Sequence, residues 1–290
     1  MTDSSLVRFS LVNEATVGTT PTSPVMQIMR ITSLGLGTQN KTVVSEEIDS
    51  SRMSGQQILT GTSLSGAFNY EFSNSHFDKL LVAAVLGTRT KLFEKSGSTE
   101  CGSVTSTTTF GVNSGGATVV AGHLIRTSGY TSSANNGLNR VVSSTGTTIV
   151  TGATLVNEVS TASSFLKVVG FRGASADITA TSTGLGSTLL DFTTLGLVVG
   201  QWVKIGGATS GEQFSLAALN TYARITAIAA TALTLDNLPS TWTTNTGSGK
   251  TITVFISDYL RVGSTVTGNT FSGETAYLGQ TTPSYFIDAG

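Results

Sequence analysis

In several stretches of this chain apolar and polar positions follow the period of two that places successive side chains on opposite faces of a strand. The clearest stretch is Phe68-Asn69-Tyr70-Glu71-Phe72, where Phe68, Tyr70 and Phe72 share one face and Asn69 and Glu71 the other. Leu6 to Val12 and Met26 to Ile31 also read as strands. The period becomes helical at one place: Phe77, Leu80, Leu81 and Ala84 recur at helix spacing, Ser75 and Asp78 stand as in a capping box, and Gly87 follows. The pattern therefore predicts a single helix over 75–86. Residues 38–53 mix charges with isolated apolar residues and keep no period, which predicts a long projecting loop or hairpin.

Farther along, the chain repeats itself. Val120 to Gly129 aligns with Val198 to Gly207 at an offset of 78, and Asn139 to Val142 aligns with Ala223 to Thr226 at an offset of 84. The second copy thus carries six more residues in the intervening loop. Each copy runs into a hydroxyl-rich strand, Thr147 to Thr151 or Ala232 to Leu235. Two small β-modules, 98–170 and 171–247, account for this pattern, joined near Lys167 to Gly173. Because Thr251 to Ser257 reopens a strand pattern, the modules read as an insertion into a domain made of 1–97 and 248–290.

Composition supports an all-β chain. Polarity is carried by 49 Thr and 37 Ser against 16 Lys+Arg and 17 Asp+Glu, and 33 Gly are available for turns and bulges. Hydrophobic residues make up 39% of the chain, enough to bury a core and to exclude disorder as the ground state. A net charge of −1 supplies no cationic footprint for gripping phosphates. The longest apolar run, Leu80 to Leu86, is far short of the roughly 20 residues that cross a bilayer. The first five residues have neither the basic nor the apolar region of a secretory signal, and Cys101 is alone; together these are expected of a protein folded in a reducing cytoplasm.

Candidate chemistry is sparse. Gly247-Ser248-Gly249-Lys250-Thr251 resembles the tail of a phosphate-binding loop, but Thr244 stands where the motif needs glycine and a strand rather than a helix follows, so a turn is expected. His76 and Asp78 are two residues apart, a spacing that does not face them together on a helix. His123 aligns with Gln201, for which a surface polar role suffices. Trp202 aligns with Leu124, which predicts an apolar core position rather than a sugar-stacking platform. Trp242, beside Pro239, either caps the second module or meets a partner. No catalytic, cofactor-binding or metal-ligating set emerges, and the chain is expected not to be an enzyme.

Several segments taken in order resemble the major tail tube proteins of long, flexible-tailed bacteriophages. They are Asn13 to Pro21, Arg30 to Leu34, Ser45 to Arg52, Glu71-Phe72 with Phe77 to Leu81, Tyr259 to Ser264, and Phe271 to Glu274. The resemblance covers about 6–95 and 250–290, and the repeats resemble domains that such tubes display outward. The family's pattern continues with further strands past a segment like Tyr285 to Gly290. The resemblance implies a tube domain of two packed antiparallel sheets with one flanking helix, assembled in hexameric rings that stack around a channel for DNA ejection. Glu46, Glu47, Ile48 and Arg52 would lie in the loop that bridges subunits, and Asn69 and Glu71 would face the lumen. Implied partners are further copies of the chain, a tape measure protein and passing DNA within the lumen, and tail terminator and distal tail proteins, with no membrane and no cofactor. Its place would be the virion tail, assembled in the host cytoplasm. The alternative from the residues alone is a Ser/Thr-rich β-repeat adhesin or receptor-binding protein.

Overall fold

The computed structural model describes residues 7–44, 57–73, 77–262, 271–277 and 285–289. Its first strands are β1 (Val7–Asn13), β2 (Gln27–Ile28), β3 (Ile31–Leu34), β4 (Gly37–Val44), β5 (Gln57–Ser65) and β6 (Phe68–Tyr70), followed by helix α1 (Asp78–Ala84) and β7 (Thr88–Thr90). Next come β8 (Glu94–Ser96), the one-turn helix α2 (Gly97–Glu100), β9 (Cys101–Ser106), β10 (Thr109–Val112), β11 (His123–Ser128), β12 (Gly137–Ser144), β13 (Thr148–Thr151) and β14 (Phe165–Arg172). A second series holds β15 (Thr179–Thr181), β16 (Gly184–Gly186), β17 (Trp202–Ile205), β18 (Tyr222–Ala229), β19 (Ala232–Asp236) and β20 (Thr253–Ile256). The chain closes with β21 (Tyr259–Arg261), β22 (Phe271–Tyr277) and β23 (Tyr285–Ala289). Paired strands run antiparallel, and the fold is all-β.

Two units divide the chain, Met1–Arg89 with Leu260–Gly290, and Thr90–Tyr259. In the first, the sheet order is β2-β1-β22-β23, while β3 pairs with β6 and β4 with β5. Its core is small. Phe9, Met29 and Phe77 are buried, with Leu11, Ile31, Leu34, Leu36, Phe68 and Leu80 packed against them. The helix is shorter than the periodicity predicts. It starts at Asp78 with no side-chain cap, and Asp78 pairs with Arg89 instead; Ser75 and His76 lie outside the described residues. At its other end, the Leu86 N–H donates to the Ala83 carbonyl and the Gly87 N–H to that of Val82, a Schellman closure. Leu86, not Gly87, takes the left-handed conformation at φ 49°. Gly87 is needed for closeness, since a Cβ there would sit 2.1 Å from the Arg261 carbonyl oxygen.

The second unit shows the duplication as geometry. Its sheet runs β15-β16-β19-β18-β17-β20-β14-β11-β12-β13-β10-β9, with β8 added beside β14. Read outward from the central β20–β14 pair, the two halves match strand for strand. Phe110 pairs with Ile149 in one half and Leu185 with Leu233 in the other. Isolated bridges protect both outer edges, Val104 with Glu158 and Ala180 with Asn245. Each half has its own core: Cys101, Phe110, Ile125, Val141, Ile149 and Leu166 are among the buried residues of the first, and Phe171, Leu185, Phe192, Val203, Ile225 and Leu233 among those of the second.

These pairings correct the expected division of the chain. The insertion spans Thr90–Tyr259 rather than 98–247, and Thr251 to Ser257, read as a return to the first domain, contributes β20 to the middle of the repeat sheet. The first copy accordingly ends with β14 and the second with β20, the equivalent strand. Periodicity marks a strand but does not name its neighbours, so a strand near a boundary is assigned only by its partners. The helix α2 was likewise beyond periodicity, being a single turn.

The two ends of the inserted unit are joined chemically. The Leu92 N–H donates to Asp258 Oδ1 at 3.0 Å, and Lys167 Nζ lies 2.9 Å from both Glu94 Oε2 and Asp258 Oδ2. Burial pushes the Lys167 ammonium down, but its hydrogen bonds to the two carboxylates outweigh this and leave it above the ordinary lysine value.

Candidate interaction surfaces

In the first unit a projecting loop or hairpin is expected over 38–53; its described part, 38–44, lies in β4, which pairs with β5 and with no other described strand. Val43 and Ile58 oppose each other, and Leu59 opposes Thr42, so apolar side chains stand on both faces of the ribbon. Val43, Val44, Ile58 and Leu59 are all exposed. A lone two-stranded ribbon is marginal in water, and apolar residues on both faces gain from being covered. The expected bridging residues Glu46, Glu47, Ile48 and Arg52 lie outside the described residues.

Asn69 and Glu71 are both exposed; Asn69 is on β6, where its Nδ2 donates to Ser33 Oγ at 2.8 Å, and Glu71 follows the strand. The opposite face keeps its aromatic succession. Ring centroids are 5.1 Å apart for Phe9 and Phe68, 5.8 Å for Phe68 and Tyr70, and 4.2 Å for Tyr70 and Phe77. Phe68, Tyr70 and Phe72 share that face but not its cover, because Tyr70 and Phe72 remain 45% and 66% exposed. Phe9 and Phe77 are the buried members of the succession, and the short helix has too little surface to cover Tyr70 and Phe72.

In the second unit, the pair His123 and Gln201 is buried rather than on the surface. Val120 N–H donates to His123 Nδ1 at 3.0 Å, and His123 Nε2 lies 3.2 Å from the Leu195 carbonyl. Val198 N–H donates to Gln201 Oε1 at 3.2 Å, and Gln201 Nε2 donates to the Ser257 carbonyl at 3.1 Å. The two side chains play the same structural role, each tying the turn before its strand to a distant carbonyl. Burial lowers the His123 pKa, with the Leu195 contact opposing it. Asn136 and Asn220, to which the sequence pattern drew no notice, form a second matched pair. Their amides bracket the backbone of Tyr130 and Phe214, accepting from the N–H at 3.0 and 2.9 Å and donating to the carbonyl at 2.8 Å in both. Their spacing of 84 was the available signal, and it places the six extra residues at 208–213.

Trp202 corrects a further expectation: it is 51% exposed, whereas its counterpart Leu124 is fully buried. The alternation in Trp202-Val203-Lys204-Ile205 carried the answer, since Val203 and Ile205 are the core residues and Trp202 and Lys204 face away. Trp242 caps the second core, its Nε1 donating to the Thr181 carbonyl at 2.7 Å. Gly247 and Gly249 have positive φ in a turn before β20, and Lys250 Nζ donates to the Ser210 carbonyl at 2.8 Å. No helix opens there to receive a phosphate.

Among the described residues, no group of three or more His, Cys, Asp or Glu side chains is placed to hold a metal ion. No described helix is long and apolar enough to cross a membrane. Buried Cys101 lies 3.5 Å from the Ser164 carbonyl, and desolvation, aided by Glu100, pushes its thiol up to about 11. Tyr130 is shifted upward by burial, with smaller contributions from Cys101 and Glu158. No protein-family model, curated protein or solved structure matches the chain.

Proposed function

We propose that this chain is a structural subunit of a phage tail tube, self-assembling into stacked hexameric rings that conduct DNA, with the inserted unit displayed outward. One observation supports the reading most: the β4–β5 ribbon has no further strand partner among the described residues and carries Val43, Val44, Ile58 and Leu59 exposed. Such a ribbon is suited to completion by another copy, and Glu46, Glu47, Ile48 and Arg52 would then act between subunits. Asn69 and Glu71 would then line the lumen, where an absence of cations lets DNA pass without being held. The family resemblance of the flanking segments supplies the ring architecture, the tape measure, tail terminator and distal tail partners, and the virion location.

The test is negative-stain microscopy of the purified chain and of a variant in which 45–56 is replaced by a short Gly/Ser turn. Rings or tubes are expected from the parent and folded, unassembled protein from the variant. Long tubes from the variant, or discrete particles from the parent at every concentration, would overturn the reading. The exposed Trp202 favours a second reading, a receptor-binding β-repeat protein, which would give monomers or trimers.

A further inference from the structure

Because the inserted unit contains the same module twice, one copy is an internal reference for the other. Hydrogen-bonding positions agree between the copies, as buried His123 with Gln201 and half-buried Asn136 with Asn220 demonstrate. One patch, open to solvent in the second copy, does not, and its Trp202 stands where the first copy has the buried Leu124. Trp202 opposes Arg224 and Lys204 opposes Tyr222 on β17–β18, while Arg224 opposes Asp236 on β19, so these five side chains share a face. The equivalent registers of the first copy hold Leu124, Arg140, Arg126, Leu138 and Gly152. The two arginines and the Arg126/Lys204 cations are retained, yet the second copy replaces Leu, Leu and Gly by Trp, Tyr and Asp. The fold does not require these three residues, since the first copy builds the same strands without them.

Trp202 and Tyr222 are 51% and 63% exposed. Arg224 is held by Asp236, with Nη2 at 2.5 Å from Oδ2 and Nε at 3.1 Å from Oδ1. Lys204 is anchored on the Gly206 carbonyl at 3.0 Å and lies 5.4 Å from the Phe255 ring centroid. The patch thus combines two open aromatic rings with a fixed donor–acceptor pair whose charges cancel. We propose that this face binds a neutral hexopyranose oligosaccharide or polysaccharide. A pyranose ring offers an apolar C–H face to Trp202 and Tyr222, and its adjacent hydroxyls can both donate to Asp236 and accept from Arg224. Electrostatics select the class of occupant: with Arg224 neutralised by Asp236, Lys204 is the single uncompensated cation of these five residues, too little for a phosphate polymer. Two aromatics also fall well short of the roughly 800 Å² per side that a stable protein partner buries. This inference does not depend on the tube reading.

The experiment probes a printed array of neutral hexose oligosaccharides with the full chain, then titrates the strongest binder by tryptophan fluorescence. At least one glycan should bind. Trp202→Ala and Tyr222→Ala should each weaken it by about tenfold, which corresponds to about 1.4 kcal/mol. Trp202→Phe should retain most of the affinity. The triple variant W202L/Y222L/D236G restores the first copy's pattern, so it should keep the parent's unfolding midpoint and lose binding. Silence across the array overturns the proposal, as does binding that survives the triple variant. So does concentration-dependent self-association of the parent that the triple variant abolishes, since the patch would then be an interface between copies.

Discussion

Replacing His123 by glutamine should cost almost nothing at neutral pH and should remove part of the protein's acid sensitivity. His123 is buried, accepts from the Val120 N–H and contacts the Leu195 carbonyl through Nε2, so the neutral tautomer with its proton on Nε2 fits both partners. Protonating Nδ1 would set a second donor against the Val120 N–H. Burial lowers the folded-state pKa below its ordinary value of 6.5. Between that lowered value and 6.5 the unfolded chain binds more protons, so this group's contribution is intact above pH 6.5 and is lost as pH falls through that window. Gln201 already makes the equivalent two bonds without titrating. His123→Gln should therefore lie within about 1 kcal/mol of the parent at pH 7.5. His123→Ala leaves a half-buried N–H and a buried carbonyl without the imidazole, costing about 1–3 kcal/mol for the buried group and less for the other. At about 2–4 °C per kcal/mol for a unit of this size, the alanine variant should melt several degrees lower. Urea unfolding followed by near-ultraviolet circular dichroism at pH 7.5, 6.5 and 5.5 separates the cases. If glutamine were as damaging as alanine, or if the glutamine variant lost stability below pH 6.5 as steeply as the parent, the reasoning would fail.

Other outcomes follow from local geometry. Leu86→Gly should raise the stability of the first unit by about 1 kcal/mol by relieving a left-handed leucine, whereas Gly87→Ala should destabilise it through the Arg261 carbonyl; thermal melts of both decide the point. Cys101, buried and titrating near 11, should resist a disulfide reagent at pH 8 in the native state and react fully in denaturant, so fast native labelling would contradict its placement. If the tube reading holds, Glu71→Lys should leave assembly intact but slow DNA ejection, most strongly at low salt; normal ejection at every ionic strength would count against a lumenal Glu71.

Alternation and composition alone determined the all-β class, the location of the main helix, the presence of a duplicated module and the size of its extra loop. These properties are local: period two, a hydroxyl-rich composition and a matched string of residues are visible without knowing any neighbour. The same local pattern around Trp202 assigned the right faces, yet alignment with Leu124 pointed the other way, because equivalent backbone positions need not be equally covered. Tertiary structure decided what depends on partners distant in sequence. It placed β20 against β14 and so moved the boundary of the insertion, buried His123 beneath the Leu195 carbonyl 72 residues away, and left Tyr70 and Phe72 uncovered. A strand carries its faces in its own sequence, whereas its neighbours and the burial of its side chains are properties of the whole sheet.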